Sequence, residues 1–186
     1  MQTIEESFEA STEVKRSKFL AYLVPIEDYR GLQDKLKSEH PKANHVVYAL
    51  RTLNKYEQIV ENSTDDNEPK GCAGVPTLNV LRGEALINCA VLIVRYFGGI
   101  KLGTGGMARA YALATKNVIK TATLIRYEKI CGFSFKTSYR DVEKTLYLLR
   151  QIGITNYERE FGTERVTWDV HASEEKLERL KSMQIR

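Results

Sequence analysis

The spacing of apolar and polar positions changes several times along the chain. Phe19-Leu-Ala-Tyr-Leu-Val24 is an apolar run that stops at Pro25, and Met1–Ile26 as a whole reads as strands. Glu27–Glu39 places Tyr29, Leu32 and Leu36 at i, i+3 and i+7 ahead of Pro41, which predicts a helix. His45–Arg51 reads as a strand. Thr52–Pro76 is polar, rich in Asn, Asp and Gly, and has no period, so it reads as one long loop. A short helix is expected over Val75–Leu81, opening at Pro76. Leu86–Val94 is a near-continuous apolar run followed by glycines, the pattern of a strand buried on both faces.

A glycine-rich segment, Arg95-Tyr-Phe-Gly-Gly-Ile-Lys-Leu-Gly-Thr-Gly-Gly-Met107, follows that strand. Its glycines imply a backbone that turns tightly or is closely approached. Thr104 or Gly105 opens a long helix to about Ala122. Met107, Tyr111, Ala114, Val118 and Ala122 form its apolar stripe. Arg109, Lys116 and Lys120 fall within about 20° of a common line opposite that stripe. A second unit begins near Ile130. Cys131–Thr137 alternates, Tyr139–Gln151 is helical, Ile154–Phe161 and Glu164–His171 are strands joined at Gly162, and Ser173 caps a last helix through Lys181. The order is β-α-β-β-α, and only Met183–Arg186 remain for a closing strand, which is therefore expected to be missing or very short. The chain divides into residues 1–126 and 130–186, an α+β protein of two domains.

The chain has 186 residues, 42% hydrophobic and 28% charged, an ordinary globular composition that excludes a disordered tail. Met1–Ala10 carries Glu5, Glu6 and Glu9 and has no apolar segment, so no signal peptide is expected, and no run is long enough to span a bilayer. The expectation is a soluble cytoplasmic protein. Three cysteines, Cys72, Cys89 and Cys131, are too few and too scattered for a disulfide framework or a cysteine zinc site.

The net charge of +4 is mild, but its distribution is uneven. Between Glu84 and Glu128 there is no acidic residue, whereas Arg95, Lys101, Arg109, Lys116, Lys120 and Arg126 all lie there. Tyr56–Pro69 has no basic residue and holds Glu57, Glu61, Asp65, Asp66 and Glu68. One reading pairs the two poles with each other. The other is a cationic groove that meets phosphate, with Gly103, Thr104, Gly105 and Gly106 opening a helix whose free N–H groups face an anion. A line of Arg109, Lys116 and Lys120 suits a polyanion.

Nucleotide motifs fit poorly. Gly98 and Gly103 have P-loop spacing, but Thr104 stands where that loop needs Lys. Gly103-Thr-Gly105-Gly106-Met-Ala108 lies too far past the strand end for a dinucleotide fingerprint, and no acidic residue follows at the ribose position. Asp65, Asp66 and Glu68 could gather Mg²⁺ or dock a partner, although acids on a loop are more often solvated. His45 opens a strand, where a structural histidine is the default. No cofactor or resident metal is called for, and no catalytic constellation can be assembled.

Four segments carry a resemblance. They are Ser17-Lys18-Phe19-Leu20-Ala21; Ala43-Asn44-His45 leading into Tyr48-Ala49; Asp65-Asp66-Asn67-Glu68-Pro69-Lys70-Gly71-Cys72-Ala73-Gly74-Val75-Pro76; and Val94–Tyr111 with its glycines. Together they resemble the Impact/YigZ family over roughly residues 10–120, and residues 131–181 resemble the smaller C-terminal domain of its bacterial members. Asn67, Cys72 and Met107 depart from the usual Gly, Thr or Ser, and Leu. The resemblance implies an N-terminal β-α-β-α domain like that of a small-subunit ribosomal protein and of elongation factor G domain IV. It also implies a ferredoxin-like C-terminal domain. Eukaryotic Impact proteins regulate translation by competing for the activator of an initiation-factor kinase.

These observations converge on a translation-associated protein that touches RNA or the ribosome through the basic helix and glycine loop. A regulator that docks a protein partner through the motif surface, and an enzyme that binds a phosphate-bearing ligand, are the alternatives.

Overall fold

A computed structural model describes residues 1–43 and 45–184. The chain forms two compact units, Met1–Tyr127 and Glu128–Arg186, in a mixed α+β architecture.

The first unit runs β1 (Gln2–Thr3), β2 (Phe8–Val14), β3 (Ser17–Pro25), a 3₁₀ turn at Ile26–Asp28, α1 (Tyr29–Glu39), β4 (His45–Leu53), β5 (Ile59–Thr64), α2 (Gly74–Gly83), β6 (Cys89–Tyr96), α3 (Thr104–Thr121) and β7 (Ile125–Arg126). Five strands form an antiparallel sheet in the order β2-β3-β6-β4-β5, while β1 and β7 pair separately.

β6 lies at the centre of that sheet, and its burial explains the apolar run. Cys89, Val91 and Ile93 face a core shared with Leu78 and Leu81 of α2 and Ala110, Tyr111, Ala114 and Val118 of α3. Ala90, Leu92 and Val94 face the opposite core with Leu36 of α1. One helix therefore covers one face of the sheet and two helices cover the other.

The expected loop Thr52–Pro76 contains the end of β4, all of β5 and the start of α2. β4 continues to Leu53, and β5 pairs with it from Tyr48↔Thr64 to Leu53↔Ile59. β5 is an edge strand whose apolar residues Ile59 and Val60 are exposed, so it has no inward stripe to reveal a period. Its order comes from partners distant in sequence. Glu61 accepts hydrogen bonds from Arg51 at 2.8 Å and from Arg82.

The second unit runs β8 (Ile130–Ser138), a 3₁₀ turn at Tyr139–Asp141, α4 (Val142–Ile152), β9 (Tyr157–Phe161), β10 (Arg165–Ser173) and α5 (Glu174–Gln184). Its strands pair antiparallel in the order β8-β10-β9. Fully buried Trp168 anchors the core, stacked on Phe135 at 6.1 Å with its indole N–H donated to Thr137 Oγ1 at 2.9 Å. Of the four residues left for a closing strand, Met183 and Gln184 instead end α5. Ile185, Arg186 and the Asn44 of the second motif segment lie outside the described residues.

Candidate functional site

Between β5 and α2 the chain reverses through Asp65–Gly71, with Asp66 and Asn67 in the left-handed region (φ 43° and 67°), which these residue types tolerate best after glycine. Each acid of this turn holds part of the chain. Asp65 accepts N–H bonds from Gly71 at 2.7 Å, Ala73 at 3.0 Å and Gly74 at 2.8 Å. It thereby caps α2, whose own N-cap residue Ala73 has no side chain to do so. Burial pushes its carboxyl up, but the three N–H groups together outweigh that and hold it below the ordinary value. Asp66 accepts the Val46 N–H at 2.6 Å, and its carbonyl accepts the His45 Nδ1–H at 2.6 Å.

Glu68 is buried and takes the guanidinium of Arg95 and the hydroxyl of Tyr111, the latter at 2.8 Å. The Nε2 of His45 lies 3.7 Å from its other oxygen. Burial first, then the charge of Glu68 and its hydrogen bond, push the Tyr111 hydroxyl far up, so it remains a donor. Asp65, Asp66 and Glu68 are thus not a free acidic loop. Among the described residues no three His, Cys, Asp or Glu side chains gather as a metal site.

Arg95, at the C-terminal end of β6, does not join the surface cations. Its side chain is only 6% exposed, with Nη1 against Glu68 and 3.4 Å from Met107 Sδ, and its buried Nε has no hydrogen-bond partner among the described residues. The guanidinium carbon lies 5.7 Å from the Phe19 ring centre and 5.8 Å from that of Phe97. A charged group enters such an interior only when paired, and its partner Glu68 sits far upstream in the sequence.

The glycine loop leaves β6 beside the tip of the β2–β3 hairpin. A Cβ on Gly98 would stand 2.0 Å from the carbonyl carbon of Arg16, so only glycine fits. Gly103 precedes α3, whose first turn has no acidic residue and no side-chain cap. The opening N–H groups of a helix have no acceptor within it, so Thr104, Gly105 and Gly106 form a positive end. The Arg109 guanidinium folds back over this turn, and a Cβ on Gly105 would lie 3.6 Å from its Nη1.

Lys101, Arg109, Lys116 and Lys120 are all exposed, and none forms an ion pair among the described residues. Arg109 and Lys120 are separated by about 16 Å along the helix axis. The opposite pole differs. Glu61 pairs with Arg51 and Arg82, held below its ordinary value chiefly by the Arg82 hydrogen bond, and Glu68 pairs with Arg95. Glu61 and Glu68 are therefore ion-paired within the fold, and Asp65 and Asp66 are tied to backbone N–H groups, whereas the bases of α3 have no ion pair among the described residues.

Two basic residues that the charge reading passed over are Lys15 and Arg16, both exposed at the hairpin tip. The signal for them is their position between two strand patterns rather than any charge run.

Residues 15–119 match the sequence profile of the Impact N-terminal domain, a span that holds both the acidic turn and the glycine loop. The chain belongs to the Impact family. An Impact family member of Haemophilus influenzae is 40% identical over 111 residues, covering 58% of this chain and 54% of that protein. This match thus spans about half the relative's length. The Impact family member YigZ of Escherichia coli is 31% identical over 144 residues, covering 75% of this chain and 70% of the relative. A crystal structure described as that of a hypothetical protein superposes with a TM-score of 0.67 at 25% identity, over 98% of this chain and 90% of the other. In this Impact chain the acidic turn and the C-terminal end of β6 meet through the Glu68–Arg95 pair.

Proposed function

We propose that this protein is a translation-linked binding protein that takes RNA, free or on the ribosome, along the exposed face of α3 and the glycine loop. The observation that carries the reading is the unequal use of charge. The acids of the β5–α2 region are largely engaged by their own chain, whereas Lys101, Arg109, Lys116 and Lys120 stand in solvent without ion pairs among the described residues. Cations on a rigid helix release counterions when they meet phosphates, which drives association with any polyanion backbone. The uncapped start of α3 adds a partial positive charge at one end of the line. Membership of the Impact family supports the translation link, because its eukaryotic members regulate translation. The ferredoxin-like reading of the second unit belongs to the same proposal, supported by its β-α-β-β-α order and its β8-β10-β9 sheet.

The test is binding of a fluorescent single-stranded RNA across a salt series. Wild type is compared with an Arg109→Glu, Lys116→Glu, Lys120→Glu variant, both confirmed folded by circular dichroism. The expected result is tight wild-type binding at low salt with a log–log slope that the variant flattens by about 2, since each single-strand phosphate contact contributes about 0.7. Absence of wild-type binding at low salt overturns the reading and turns attention to a protein partner.

A further inference from the structure

The tip of the β2–β3 hairpin and the first half of α3 enclose a cleft of about 170 Å³. Lys15 and Arg109 line it, together with Val14, Leu102, Gly106 and Leu113. Both cations are exposed and lack ion pairs among the described residues. Leu113, also in that lining, is 44% exposed on the same side of α3 as Arg109 and Lys116.

We infer that this cleft seats one phosphate–ribose unit of a single-stranded RNA, as the fixed starting point of the path that Lys116 and Lys120 continue. The inference rests on the RNA reading above and adds a defined seat to it. Two unpaired cations from different elements of the fold converge on one small concavity, which suits a single anion between them. The volume equals roughly five or six liquid waters, enough for a phosphate and the carbon edge of its sugar. The leucines give that edge an apolar wall, which a simple counterion site does not need. Strand continuity then follows from the helix, because Lys116 and Lys120 lie on the same face as Arg109.

The backbone agrees. Lys15 and Arg16 form a two-residue turn with φ of 46° and 65°, where Asn and Gly are the favoured residues. A non-glycine side chain is strained at such angles. Contact between Gly98 and the Arg16 carbonyl fixes the tip against the glycine loop, so Lys15 is presented by a braced hairpin.

The test uses a fluorescein-labelled oligouridylate and the full chain, with Lys15→Gln, Arg109→Gln and, as a distant exposed control, Lys37→Gln. Lys15→Gln and Arg109→Gln are expected to weaken binding by about three- to tenfold at low salt and to flatten the salt slope by about 0.7 each. Lys37→Gln is expected to change neither. If wild type binds and charge reversal at Lys116 and Lys120 weakens it while Lys15→Gln does not, the seat is overturned and the RNA reading stands. If wild type binds no RNA, both fall. A third arm replaces chloride by inorganic phosphate at constant ionic strength. RNA affinity is expected to fall in wild type and much less in Lys15→Gln, because free phosphate competes for the seat. An equal fall in both proteins overturns the seat.

Discussion

Glu68 and Arg95 are 27 residues apart in sequence and meet in the interior of the first unit, where the guanidinium donates to the carboxylate and the Tyr111 hydroxyl joins from α3. The pair ties the acidic turn, the end of β6 and α3 into one unit. Removing one partner of a buried ion pair leaves the other charge uncompensated, which costs about 3–5 kcal/mol. Urea denaturation of Arg95→Ala and Glu68→Ala should show losses of that size. Tyr111→Phe, which removes one hydrogen bond to a charged acceptor, should lose about 1.5–3 kcal/mol.

Asp65 carries a different load. Its three N–H bonds start α2, so Asp65→Ala should destabilise the protein by about 2 kcal/mol. Because its folded value lies below the unfolded one, this contribution is present above the unfolded value. It is lost as pH falls through the folded value. The difference in urea midpoint between wild type and Asp65→Asn should therefore be present at neutral pH. It should narrow below about pH 4.

Two glycines on either side of the start of α3 should respond in opposite ways to the same methyl group. Gly98→Ala drives a Cβ into the Arg16 carbonyl and should prevent native packing of the loop, seen as a large drop in thermal midpoint. Gly105→Ala meets only Arg109 Nη1 at an ordinary 3.6 Å and lies inside α3. It should stabilise by about 0.5–1 kcal/mol.

Replacing Lys15 and Arg16 together by Asn and Gly installs the turn residues that the φ angles prefer. Thermal stability should rise by about 1 kcal/mol or more. RNA affinity should fall in the same protein. Calorimetry beside the binding assay reads both, and a rise in stability with unchanged affinity would show that the turn cations do not touch RNA.

The thiols separate by burial. Burial pushes Cys89 up to about 12, with Arg51 pulling slightly the other way, and Cys72 is also buried. Cys131 is the more accessible of the three. Iodoacetamide at neutral pH should label Cys131 first in the native protein, and the other two only on unfolding. Peptide mass spectrometry checks the order.

Much of the framework is legible in the residue pattern, and the failures share a cause. β6 announces itself because both of its faces are apolar, and α3 because Met107, Tyr111, Ala114 and Val118 keep a helical period. β5 is silent because an edge strand with Ile59 and Val60 in solvent has no buried stripe. Arg95 misleads because charge alone places it on the surface, while the carboxylate that permits its burial sits in another part of the chain. Asp65 looks like a candidate ligand until α2 is seen to begin under it. Local pattern reveals what a residue prefers, and these three positions are decided by what meets them.

The placement of β6 also sets a clock on the molecule. Its amides open only when helices on both sides of the sheet have let go, so they should be among the last in the first unit to trade hydrogen for deuterium. The glycine loop leaves the end of this slowest strand and is pinned again at Gly98. Anything that docks against this loop meets a backbone already braced at both points, and little of the encounter is spent waiting for the protein to settle.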